Sequence, residues 1–159
     1  MTRKRSTKDA AAPFDPVTVP LAGINLIEAN AGTGKTWAIT ALYVRLLLEA
    51  GREVDSILVV TFTEAATGEL RDRIRKRLSE TRDAFERGVV PAEDTLGRAL
   101  LERTADHGEA RLKLVAALRD FDQAPIYTIH AFCQRVLGDS AFDSAYRSGP
   151  RSFRTKARS

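Results

Sequence analysis

The stretch Ile27–Thr40, IEANAGTGKTWAIT, decides the fold. Its centre, Ala29–Thr36 (ANAGTGKT), fits the phosphate-loop pattern with alanine at the first position in place of glycine. Ala29, Asn30, Ala31, Gly32, Thr33, Gly34, Lys35 and Thr36 are therefore the candidate nucleotide-binding residues. Each residue type has a physical task. Gly32 and Gly34 permit backbone angles that turn successive N–H groups inward as an anion cradle. The helix that follows adds the positive end of its dipole. Lys35 is a mobile charge for the β- and γ-phosphates, and the Thr36 hydroxyl is a ligand for Mg²⁺. A dinucleotide-binding reading fails, because Trp37 stands where the third glycine belongs.

The flanks supply the required context. Ile24–Glu28 reads as a short buried-type strand running into the loop, behind an extended, proline-punctuated lead-in, Phe14–Gly23. A helix is expected from Lys35 to about Ala50, stopped by Gly51, with Ile39, Leu42, Tyr43, Leu46 and Leu47 at helical spacing. Ser56–Phe62 (SILVVTF) is apolar throughout, as central parallel strands are. Thr63 is placed to cap a long helix, Glu64 to about Arg87, with Glu64 at its positive end. Two shorter helices are expected over roughly 92–105 and 109–121, then a third strand in Ala124–His130 (APIYTIH) and a helix over 131–142. Alternation of strand and helix predicts an α/β fold with an open parallel sheet flanked by helices.

Composition bounds the rest. At 159 residues, 43% apolar and 29% charged, the chain suits one soluble domain with a real core. Cys133 is the lone cysteine, so no intrachain disulfide forms, and a cytoplasmic compartment is expected. No apolar run approaches the ~20 residues of a membrane span, so no membrane partner is expected. The formal charge of +4 is uneven: residues 1–13 hold four Lys/Arg and one Asp, and residues 144–159 hold five Lys/Arg and no acid. The interior, 14–143, is thus net acidic. The two basic ends read as solvated, disordered tails with non-specific attraction for nucleic acid.

A hydrolysing phosphate-loop enzyme needs a second acidic site, an apolar strand ending in Asp, to hold Mg²⁺ and place water. No such strand is found. SILVVTF ends in Thr, and Leu114–Asp122 (LVAALRDFD) is interrupted by Arg119 at helical spacing. Two other strand ends are informative: Val59–Ile74 (VVTFTEAATGELRDRI) and Tyr127–Leu137 (YTIHAFCQRVL). In open α/β sheets ligands bind at the carboxyl ends of strands, so both clusters are expected on the same edge as the phosphate loop. Hydroxyls and helix-start amides grip phosphates, and aromatic or imidazole rings offer stacking faces to unpaired bases.

The segments IEANAGTGKT, VVTFTEAATGELRDRI and TIHAFCQRVLGDSAFDS, in this order, resemble superfamily 1 DNA helicases of the UvrD/Rep type. Within that group they look most like the beta-subunit family of exodeoxyribonuclease V, over roughly Phe14 to Ser144. The resemblance implies a partial RecA-like P-loop NTPase domain, truncated, using ATP and Mg²⁺. It assigns Lys35 and Thr36 to the ATP chemistry, and Thr61, Phe62, Thr63, Thr128, His130 and Phe132 to single-stranded DNA. It implies the gamma and alpha subunits of exodeoxyribonuclease V as partners, in double-strand break repair and recombination. The family's acidic motif, second motor domain and nuclease domain are not found in these residues, so the chain alone is expected to be inactive. A non-enzymatic module that holds nucleotide or a protein partner is the alternative.

Overall fold

A computed structural model describes residues 14–28, 32 and 34–147. The tail 1–13, loop residues Ala29, Asn30, Ala31 and Thr33, and residues 148–159 lie outside that set. The elements, in order, are α1 (Lys35–Leu48), β1 (Val59–Thr61), α2 (Glu64–Arg87), α3 (Thr95–Arg103), α4 (His107–Arg119), β2 (Ile126–Thr128) and α5 (Ile129–Arg147). Single 3₁₀ turns at Val54–Ser56 and Phe121–Gln123 lead towards the two strands. β1 and β2 pair in parallel with Val59 opposite Ile126 and Thr61 opposite Thr128.

The longest element shows why the chain folds locally as it does. The Thr63 side chain accepts the Ala66 N–H at 3.1 Å, which starts α2, and Gly88 ends it with φ 69°, a left-handed angle that glycine takes without strain. Between these stops Leu70, Ile74, Leu78 and Phe85 recur at helical spacing, and all four are buried. They meet Tyr43, Val44 and Leu47 of α1, Leu96 and Leu100 of α3, Leu114 of α4, and Phe121 and Ile126. Tyr43 packs edge-on to Phe121, and its hydroxyl finds no hydrogen-bond partner among the described residues. Burial pushes that phenol up to about 12 against the opposing Arg71 charge, so it stays neutral and belongs to the core.

Several expectations change. Ile24–Glu28 is not a strand; Ile24 is fully exposed and Leu26 is 85% exposed. A strand persists only with a ladder partner, and β1 and β2 pair with each other rather than with it. The Asn25 side chain instead donates to the Pro20 and Ala22 carbonyls at 3.0 and 3.3 Å, holding a local turn. The lead-in likewise turns rather than extends, with Asp15 accepting from the Val17 N–H and the Thr18 hydroxyl. Arg45, buried in α1, holds this turn by donating to the Pro16 and Val19 carbonyls at 2.7 and 2.8 Å. β1 starts later than expected because Ser56 is taken into a 3₁₀ turn, its N–H and hydroxyl both on Glu53 O. α5 begins at Ile129, which makes His130 helical, and runs to Arg147, past the residue where the sequence places the tail.

Candidate functional site

The phosphate-loop end of α1 is built for an anion. Gly32 and Gly34 have φ of 79° and 83°, where a side chain would be strained. Gly34 sits at the cap position of α1 with no side chain closing the helix, and the first turn carries no acid. Among the described residues the first helical bond there is Ala38 N–H to Gly34 O at 2.9 Å. Lys35 is exposed and Thr36 half-buried on that first turn. Among the described residues no group of three or more His, Cys, Asp or Glu is arranged to hold a metal. The Thr36 hydroxyl is a hard oxygen donor of the kind that would hold Mg²⁺ together with phosphate oxygens.

The other helix starts differ. α2 is capped by Thr63 and has Glu64 in its first turn, so its positive end is already answered by side chains. At the start of α5, Thr128 Oγ1 accepts the Ala131 N–H at 3.2 Å. The same Thr128 hydroxyl donates to Glu64 Oε1 at 3.2 Å, joining the two strand ends. Thr61 Oγ1 donates to the Thr63 carbonyl at 3.1 Å and shares a 2.6 Å hydrogen bond with Thr67 Oγ1.

The six strand-end residues thus divide. Thr61, Thr63 and the buried Thr128 spend their hydroxyls on shaping the two crossovers. Phe62 is 90% exposed beside them, and His130 is also exposed, so both rings face outward at the carboxyl ends of β1 and β2. Phe132 is half-buried and lines a side cleft with Tyr127, Arg71 and Arg135.

The structure does not bring the start of α1 to this edge. Glu64 meets Thr128 at the carboxyl end of β2, while Arg71 donates to Ala124 O and Ile126 O at 3.5 and 3.2 Å, near its amino end. α2 then runs on past the sheet. Trp37, in the first turn of α1, lines a cleft with Arg77, Glu80, Ala84 and Arg87 of that overhang. At 1.5 Å per residue, Arg77 is about 20 Å along α2 from Glu64. The expectation of a shared edge is corrected, and the physical reason is Ile24–Glu28. Unpaired with the sheet, it does not tie the start of α1 to the strand ends. Sequence reasoning also missed Glu64 as a bridging residue; a carboxylate directly after a capping threonine gives no sign of a partner 64 residues away.

Residues 11–157 match the family model described as the UvrD/REP helicase N-terminal domain. The chain is similar to the RecBCD enzyme subunit RecB of Escherichia coli K12, 48% identical over 144 residues that are 86% of this chain and 12% of that protein. It is similar to the same subunit of Haemophilus influenzae, 42% identical over 83% of this chain and 12% of that protein. With the Mycobacterium tuberculosis subunit it shares 38% identity over 74% of this chain and 11% of that protein. The chain therefore spans 12% or less of the length of these curated relatives. No helix among the described residues is long and apolar enough to cross a membrane.

Proposed function

Because the chain belongs to the UvrD/REP helicase N-terminal domain family, we propose that it is the ATP-binding and single-stranded-DNA-contacting part of a DNA repair helicase subunit of the RecB kind. The observation that carries this reading is the start of α1, an uncapped helix end without acid, entered through left-handed glycines and bearing Lys35 and Thr36. Ala29–Thr36 wrap the triphosphate, Lys35 answers its β- and γ-oxygens, and Thr36 holds the Mg²⁺ that comes with it. The metal, when bound, neutralises charge on the phosphate oxygens. Thr61, Thr63 and Thr128 shape the strand-end crossovers, from which Phe62 and His130 present rings to unpaired bases while Phe132 supports α5.

On this reading residues 14–143 form the ATP-binding unit between two basic tails that add sequence-independent attraction for DNA. The protein works in the cytoplasm with the gamma and alpha subunits of exodeoxyribonuclease V. The start of α1 lies by the far half of α2 from the strand ends of β1 and β2, so nucleotide and DNA are held at separate places. Titration with a fluorescent ATP analogue in Mg²⁺, and with a labelled oligo-dT, tests both halves. Saturable binding of each is expected. No binding of the analogue would overturn the nucleotide half, and binding of oligo-dT unaffected by Phe62→Ala would overturn the DNA half.

A further inference from the structure

The geometry points to Glu64 as a positioning residue that locks the two strand-end crossovers together, acting through Thr128, so that single-stranded DNA meets one preformed surface; this rests on the DNA reading above. Glu64 follows directly on Thr61, Phe62 and Thr63, and its carboxylate accepts from the Thr128 hydroxyl at 3.2 Å. That hydroxyl oxygen in turn takes the Ala131 N–H at 3.2 Å and so fixes the first turn of α5, which carries His130 and Phe132. Thr61 and Thr128 are direct partners in the parallel ladder, so the bridge closes over the end of the sheet.

The bridge has a cost to its owner that identifies its role. Glu64 is exposed and anionic at the place proposed for a polyanion, where its charge opposes phosphate. As a direct contact it would be unfavourable; as an anchor for a buried threonine hydroxyl it is useful. Without the carboxylate, Thr128 loses its acceptor inside the protein and the cap on α5 is free to rotate. Charge and hydrogen bonding therefore push DNA affinity in opposite directions, which separates the two roles by mutation.

The test uses the full chain, a labelled oligo-dT and fluorescence anisotropy well below the unfolding temperature, with Phe62→Ala as reference. Glu64→Ala removes acceptor and charge and is expected to weaken binding about three- to tenfold, the effect of one lost hydrogen bond. Glu64→Gln keeps an acceptor and drops the charge, so it should bind as tightly as the wild type or tighter. Thr128→Val loses the hydrogen bond and keeps the charge, so it should bind as weakly as Glu64→Ala or more weakly, and the double variant should be no weaker than Thr128→Val. If Glu64→Ala does not fold, Thr128→Val against Thr128→Ser carries the same contrast. Glu64→Ala binding like the wild type, or Glu64→Gln as weak as Glu64→Ala, would overturn the positioning role while the DNA reading stands. Phe62→Ala without effect would overturn the DNA reading itself.

Discussion

Arg77 grips Asp94 through two hydrogen bonds of 2.7 and 3.1 Å, and the same carboxylate accepts the Gly97 N–H at 2.9 Å to start α3. One side chain therefore joins the overhanging half of α2 to the next helix. Asp94→Asn should cost about 2–3 kcal/mol, from a weakened cap and a guanidinium left short of its partner. The loss depends on pH. Burial pushes Asp94 up, but the Arg77 and Gly97 hydrogen bonds and the Arg77 and Arg98 charges outweigh it and hold the acid below 3.8. A depressed acid contributes stability above its unfolded value and loses it as pH falls through the folded one. The gap between wild type and variant should be full at pH 6 and close below about pH 4. Urea unfolding at several pH values measures this, and a constant gap down to pH 3 would count against the pair.

Gly97 is the tightest glycine among the described residues. A Cβ there would lie 2.4 Å from Asp94 Oδ2 and 2.9 Å from Val90 Cγ1. Gly97→Ala must expel the capping carboxylate or move the backbone, at about 2 kcal/mol. A urea midpoint equal to that of the wild type would show that the cap gives way freely.

Some of this fold is legible in the sequence and some is not, for physical reasons. α2 is read correctly at both ends because Thr63 and Gly88 act within one turn of themselves. Ile24–Glu28 is misread because an apolar run states that burial suits it, not that a partner strand is present. The Arg45 anchor on Pro16 and Val19, and the Glu64–Thr128 bridge, join residues far apart in the chain and leave no local pattern. At the phosphate loop the glycine spacing is met by the backbone: Gly32 and Gly34 take left-handed angles just ahead of α1.

Lys35→Ala should weaken the ATP analogue about ten- to a hundredfold, the effect of a charge-assisted contact of roughly 1.5–3 kcal/mol. Equal affinity of both forms would remove the phosphate loop from the site.

Single-stranded DNA binding should be salt-sensitive and indifferent to sequence. Deleting residues 1–13 and 148–159 should take away most of the affinity while sparing α5, which runs to Arg147. In that trimmed protein, Thr63→Ala with His130→Ala should weaken what remains. Thr63→Ala alone also removes the α2 cap, at about 1 kcal/mol, so unfolding is measured alongside. Binding unchanged in the folded double variant would return both residues to a structural role.

A polypeptide of these 159 residues should hold nucleotide without turning it over. Thr36 and phosphate are the ligands on offer for Mg²⁺, and no carboxylate cluster among the described residues stands ready to orient water. In related phosphate-loop enzymes an arginine brought against the γ-phosphate contributes on the order of 10³–10⁵ in rate. Three arginines of α2 are engaged elsewhere: Arg77 is committed to Asp94, Arg71 to the backbone of β2, and Arg75 to Asp122. Apolar surface points to the same conclusion. Leu58, Val60 and Phe62 around β1, with Ile24 and Leu26, stand exposed as they would not in a finished sheet, so association at high concentration is expected. The measurement is phosphate release by the purified, nucleotide-free protein with and without oligo-dT, the Lys35→Ala variant serving as the blank. Background release in every sample is the expected result. DNA-stimulated turnover that vanishes in Lys35→Ala would mean that a carboxylate in this chain does reach the γ-phosphate.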